Sequence, residues 1–279
     1  MNLMPIRVLD PSKTSLILIG VGGTGGYVLQ QVARLLYAIR EQGCAIPSVL
    51  LVDGDTVEEK NLLRQYFLPS DVGKNKAEVL AKRYGQAYGL DIAAYPYYLD
   101  EQTPFMRLVS DFTPQNGTPI ILGCVDNAPT RKLLHERSKQ LSNVVYIDSG
   151  NGSVAVPDDI QHIDRYQLAK IKSMGWDGQV VVGIRKDKQD VLPFPGDVFP
   201  NLLEADEDDV HPSEVRCGDV VVSQPQRLMT NVMAATTVLT YLHTLLSDGT
   251  LLHHRTFFDA RKGFMRAEAA IDHVLEVSI

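Results

Sequence analysis

Cysteine is scarce in this chain. Three residues, Cys44, Cys124 and Cys217, stand far apart among 279. A small, odd number with no paired spacing argues against a disulfide scaffold, and without a CxxC pair a cysteine zinc site has no starting point. Basic excess is missing too. The formal net charge is -7, so the cationic surface of a general nucleic-acid binder is not expected. No apolar run is long enough for a confident membrane span: Val232 to Leu246 is broken by Thr, Tyr and His, whereas a span needs about 20 apolar residues. The opening MNLMPIRVLD lacks the basic-then-apolar order of a signal peptide. These absences predict a reduced, cytoplasmic compartment and neither a nucleic-acid nor a membrane partner. The 7 histidines show no metal spacing, and His253-His254 reads as a strand-edge pair. Trp176 is the single tryptophan; it lies in a turn-like segment of an apparent insertion from about Val154 to Asp177, which it is expected to anchor.

What the chain does contain is core-forming material, 44% hydrophobic residues, arranged in alternating strand and helix patterns. Ser15 to Gly20, Ser48 to Asp53, Asp91 to Tyr97, Pro119 to Val125 and Val144 to Asp148 read as strands. Thr24 to Glu41, Asn75 to Tyr88, Glu101 to Asp111 and Ala128 to Leu141 read as helices, the first with Leu29, Val32, Ala33 and Leu36 on one apolar face. Such alternation implies parallel βαβ units, and continuously apolar strands suit a sheet covered on both faces. The expected fold is α/β, a Rossmann-like doubly wound, mostly parallel sheet. Residues 1–150 form its nucleotide-binding half. Residues 151–279 form a less regular half, integrated into the same domain. In that second half Gln179 to Arg185 reads as a strand, Asp190 to Gly218 as a long surface loop with an acidic run at Glu204 to Asp209, and Gln226 to Leu246 as a helix. His253 to Phe258 and Gly263 to Ala269 read as an antiparallel pair.

Chemistry concentrates where strands end. Gly20-Val-Gly22-Gly23-Thr24-Gly25-Gly26 joins the first strand to the first helix. Glycines let the backbone turn tightly and approach a phosphate, and a helix N-terminus offers it free N–H groups. Asp53 ends the second strand, where a carboxylate can accept from ribose hydroxyls. Asp55 either assists it or caps the next segment. To this point an NAD-dependent oxidoreductase fits as well as an ATP-using enzyme. The following stretch separates them. Asn61, Arg64, Gln65 and Lys76 form a set of phosphate-seeking groups that a dinucleotide fold does not need, with Arg64 able to engage two oxygens at once and Lys76 acting as a mobile charge. Asp126 and Asn127 follow a parallel strand, on the same sheet edge as the glycine loop, where Asp126 can hold Mg²⁺ through oxygen or cap the next helix.

Taken in order, GxGGxG at Gly20 to Gly25, Asp53, Asn61-Leu62-Leu63-Arg64-Gln65, Gly73-Lys74-Asn75-Lys76 and Asp126-Asn127 resemble the ThiF family, which includes the ubiquitin-activating enzymes and their bacterial relatives. The stretch Asn75 to Tyr84 further resembles the ThiF-like members of the PRTRC bacterial gene cluster. The resemblance implies a ThiF-like sheet with an antiparallel C-terminal portion. It also implies ATP and Mg²⁺ as cofactors, and adenylylation of the C-terminal glycine carboxylate of a small ubiquitin-like, β-grasp protein. Gly20, Gly22, Gly23, Gly25, Asp53, Asp55, Asn61, Arg64, Gln65, Lys76, Asp126 and Asn127 are then the nucleotide-binding set. Arg64, Lys76 and Asp126 act in catalysis and Asp126 holds the metal. A homodimer is implied, with residues 151–279 carrying substrate binding, dimerisation and a crossover-type loop.

The chain departs from the family pattern twice. The zinc cysteine pairs of many members are missing. The short segment before the first strand offers only Arg7 and Lys13 for the arginine that many members supply to a neighbouring ATP site. Some members pass the acyl group to a cysteine; here Cys217, beside Arg216, is the candidate nucleophile, since a neighbouring cation favours thiolate. Cys124, on a core strand, is expected to be inert. Adenylylation of another carboxylate or of a tRNA-linked base is the alternative, with the oxidoreductase behind it.

Overall fold

A computed structural model describes residues 5–63, 65–152, 165–204 and 227–270. Its centre is a nine-stranded sheet. Four parallel crossovers build one side: β2 (Thr14–Ile19), β3 (Ser48–Val52), β4 (Ile92–Tyr95), β5 (Thr118–Gly123) and β6 (Val144–Asn151). Strand β2 lies between β3 and β5, with β4 beyond β3 and β6 beyond β5. Antiparallel pairing extends the other side through β7 (Asp177–Lys186), β10 (His253–Asp259) and β11 (Phe264–Ala269). The short β8 (Gln189–Leu192) pairs with the end of β7, and β1 (Ile6–Arg7) pairs with β9 (Thr250–Leu251) outside the sheet. The mostly parallel Rossmann-like sheet with an antiparallel C-terminal portion is thus present, and the one sheet crosses both halves of the chain.

Alternate strand residues separate into two cores, as a period of two requires. Leu16, Leu18, Leu51, Leu122 and Ile147 pack on the face covered by α1 (Gly23–Glu41), α2 (Lys76–Tyr88) and α7 (Leu228–Asp248). Ile17, Ile19, Leu50, Ile121 and Tyr146 pack on the face of α3 (Phe105–Phe112) and α4 (Ala128–Ser138).

Three expectations need correction. The segment after Asp190 is not simply a surface loop. Leu192 and Phe194 are fully buried, β8 continues β7 through a hairpin with Asp187 and Lys188 at positive φ, and Pro195–Val198 forms a short helix, α6. The prolines that read as loop residues begin helical turns at Pro195 and Pro200, where a missing N–H costs nothing. Helix α3 starts at Phe105, not Glu101, because the Asp100 carboxylate takes the N–H groups of Gln102 and Thr103 in a turn. His254 is not at a strand edge: β10 has neighbours on both sides, and His254 is buried with its Nε2 3.2 Å from the Pro193 carbonyl. Residues 154–164 of the expected insertion lie outside the described residues; Trp176 packs on its described part, α5 (Arg165–Ser173). Its indole donates to the Lys172 carbonyl at 2.9 Å, and the Arg227 guanidinium lies 4.4 Å from the ring centroid.

Candidate functional site

The carboxyl ends of β2, β3 and β5 border an open cleft, the place where open α/β sheets bind ligands. It is built first by glycine. Gly20 has φ +81, and a Cβ there would sit 2.8 Å from the Cys124 carbonyl. Gly25 lies so close to Gly20 that a Cβ would meet the Gly20 carbonyl at 1.8 Å. The loop is therefore pinned between strand and helix. Gly22, at the N-cap of α1, contributes no side-chain cap, so the N–H groups of the first turn face the cleft as anion donors.

Asp53 holds this loop in place. Its carboxylate accepts the Val21 N–H at 2.7 Å and the Asp55 N–H at 2.9 Å. Burial, reinforced by the charge of Asp55, pushes its carboxyl up to about 6 against the pull of Lys76. Asp55 does not cap the following segment. Its carboxylate accepts from Lys76 Nζ at 2.7 Å and from the Tyr98 hydroxyl. Desolvation acts upward on Asp55, but Lys76 and Tyr98 outweigh it and hold its carboxyl below the usual range. Lys76 is buried; desolvation acts to discharge it, yet Asp55 and Asp53 keep its ammonium more firmly protonated than usual. Asn75 explains the spacing. Its side chain caps α2 by accepting the Glu78 N–H at 3.0 Å, and its amide donates to the carbonyls of Asp53 and Asp55. The start of α2, and with it Lys76, is stitched to the end of β3.

Asp126 stands exposed at the cleft wall. The helix cap it was weighed against belongs to Asn127, which accepts the Thr130 N–H at 2.9 Å. Arg131 braces this turn from behind: Nη2 donates to the Val125 carbonyl at 2.8 Å, and Nε lies 3.4 Å from the buried Asp148 carboxylate. Cys124 also lines the cleft, and burial keeps its thiol protonated, consistent with an inert residue.

The cleft lining gathers Gly20, Gly22, Gly23, Asp53, Asp55, Gln65, Lys76, Asp126 and Asn127. Gln65 Oε1 is buried without a hydrogen-bond partner among the described residues. Asn61 is not in the lining; its amide oxygen is taken by the Glu58 N–H at 2.8 Å. Arg64, Arg216, Cys217 and all but Glu204 of the acidic run lie outside the described residues. Arg7 is in β1 and is not a lining residue. Sequence reading missed Tyr97, Tyr98 and Leu99, two tyrosines and a leucine that line the cleft with Asp53, and Asn231, which reaches the cleft from α7. An asparagine within an otherwise apolar helix is the signal that could have found Asn231.

Among the described lining residues Lys76 is the one cation, against the carboxylates of Asp53, Asp55 and Asp126. A polyphosphate there needs further positive charge. No group of three metal-ligating side chains exists among the described residues. The exposed carboxylate of Asp126 is the oxygen donor at the cleft wall to which the sequence expectation assigns Mg²⁺. Among the described residues no helix is long and apolar enough to cross a membrane.

The sequence model of the ThiF family matches residues 9–272. Ubiquitin-like modifier-activating enzyme 5 of Drosophila virilis is 28% identical over 152 residues, 52% of this chain and 36% of that protein. The Xenopus laevis enzyme of the same name is 30% identical over 151 residues, again 52% and 36%. The match thus spans about a third of the length of these curated relatives. Two crystal structures share the fold: Escherichia coli MccB with succinimide, TM-score 0.56 at 15% identity over 93% of this chain and 64% of that one, and selenomethionine PaaA, TM-score 0.55 at 19% identity over 93% and 65%.

Proposed function

The chain belongs to the ThiF family, and from that premise we propose that it is an adenylylating enzyme. It binds ATP in the cleft and adenylylates the C-terminal glycine carboxylate of a small ubiquitin-like protein. The observation that carries this reading is the convergence of the glycine loop, Asp53, Lys76 and Asp126 on one cleft at the carboxyl ends of parallel strands. The names of the relatives, ubiquitin-like modifier-activating enzymes, support the class of partner.

Each residue then has a task. Asp53 accepts the ribose hydroxyls, and Tyr97 and Tyr98 support the base. The N–H groups at the start of α1 receive the phosphates. Lys76 leaves Asp55 to meet phosphate oxygen, with Arg64 as the second cation. Asp126 would hold Mg²⁺, which supplies charge neutralisation on the polyphosphate. The substrate carboxylate attacks the α-phosphorus, the bond to the bridging oxygen of the β-phosphate breaks, and pyrophosphate leaves with the electron pair. The carboxylate is already ionised at neutral pH, so no general base is needed. The enzyme's contribution is alignment and charge neutralisation.

ATP–pyrophosphate exchange tests this, with candidate β-grasp proteins ending in glycine added one at a time. Exchange that requires the terminal glycine is the expected result. Absence of exchange with every candidate, together with NAD binding by calorimetry, would return the site to oxidoreductase chemistry. Thioester transfer is a separate step: Cys217→Ala is expected to leave exchange intact and remove a thiol-sensitive conjugate with the partner. Loss of both would make the cysteine structural.

A further inference from the structure

Beyond the metal side of the cleft lies a polar cluster that none of these tasks employs. Asn231, 1% exposed, sits in the second turn of α7. Its Oδ1 accepts from Asn151 Nδ2 at 2.8 Å and from the Thr24 hydroxyl at 3.2 Å, while Asn151 Nδ2 also donates to Thr24 at 2.8 Å. Three distant segments, the start of α1, the end of β6 and α7, thus fix one amide plane. The other end of that amide, Nδ2, is buried with no partner among the described residues, and Asn231 and Thr24 both line the cleft. A buried amide N–H left unsatisfied is costly, and a ligand acceptor removes that cost.

Position selects the ligand. In sheet order, Asp53 ends β3, the glycine loop follows β2, Asp126 follows β5, and Asn151 ends β6. With strands ~4.8 Å apart, the end of β6 lies about 14 Å across the sheet from that of β3. In the proposed adenylylation the nucleotide lies along the β3–β5 portion, and the polar cluster joins the first turn of α1, through Thr24, to the end of β6, beside which β7 begins the second half of the chain. We propose that Asn231 Nδ2 is a recognition donor for the carboxylate oxygen of the acyl substrate, oriented by Asn151 and Thr24; this rests on the adenylylation reading above. A neutral donor suits that task. It orients the carboxylate without forming the ion pair that would blunt it as a nucleophile.

The test uses wild-type enzyme and the glycine-terminated β-grasp protein that supports exchange. Asn231→Asp keeps an oxygen for Asn151 and Thr24 but replaces the free N–H₂ with an anionic oxygen. Asn231→Ala removes the amide altogether. In pyrophosphate exchange, KM for the protein partner is expected to rise about tenfold in Asn231→Ala, the loss of one good hydrogen bond. A larger rise is expected in Asn231→Asp, with KM for ATP changing far less in both. Thermal unfolding identifies a misfolded alanine variant, in which case the aspartate variant decides. Equal rises in both KM values, a rise for ATP alone, or no change would overturn the assignment. No exchange by the wild type would instead overturn the adenylylation reading and, with it, this role.

Discussion

Asp53 is a structural group, holding the Val21 and Asp55 N–H groups, to which the proposed function adds ribose binding. It is an acid whose pKa is raised on folding from the ordinary 3.8 to about 6, so the folded state favours its protonated form. Its contribution to stability is therefore fully present at low pH and is lost as pH rises through that interval. The pair beside it behaves oppositely. Asp55 is held below its ordinary value by Lys76, so that contribution is present above the ordinary carboxylate pKa and lost in acid. A ribose hydroxyl donates best to ionised Asp53. ATP affinity, measured by calorimetry from about pH 5 to about pH 8, is expected to strengthen as pH rises through about 6, and Asp53→Asn is expected to abolish that inflection. An inflection unchanged in the variant would place the titrating group elsewhere. Asp126 makes a simpler case. Because it is exposed and caps nothing, Asp126→Ala is expected to change folding stability by less than about 0.5 kcal/mol while abolishing Mg²⁺-dependent exchange. Normal exchange in that variant would remove the metal role.

At the scale of elements, the turn between β2 and α1 tolerates little change. A methyl group at Gly25 has no space against the Gly20 carbonyl, so either α1 or β2 must move. Gly25→Ala is expected to lose ATP binding and to lower the unfolding midpoint, both read in one thermal-shift titration; a variant that bound ATP normally would contradict the packing. These strand-turn-helix elements were legible because every signal is local: apolar runs of strand length, glycines at fixed offsets, and a carboxylate at a strand end. The segment around β8 and α6 was not. Its prolines and acids read as loop, whereas Phe194 is committed to the core by contacts with Tyr146 and His135, which no local pattern announces. Phe194→Ala is expected to cost about 3–5 kcal/mol by chemical denaturation. Asn231 was hidden for the same reason. Its partners are 80 and 207 positions away, and the packing of α7 on both α1 and β6 brings them together.

For the whole molecule, the exposed surface bears on how many copies assemble. The stretch after β3 exposes Leu63 at 86%, Leu68 at 55% and Val72 at 40%. Single exposed apolar residues are ordinary, but several from one short segment suggest a covered surface. That segment also carries Gln65 into the cleft, so a second copy seated on it would steady the nucleotide site. A homodimer is therefore expected in sedimentation velocity at micromolar concentration. Leu63→Asp combined with Leu68→Asp is expected to yield monomer with weakened ATP affinity. A wild-type monomer would refute the dimer itself. A variant that stays dimeric would move the interface to another face, and the linkage to the cleft would go with it. A monomeric variant with unchanged ATP affinity would leave the dimer in place but sever it from the chemistry.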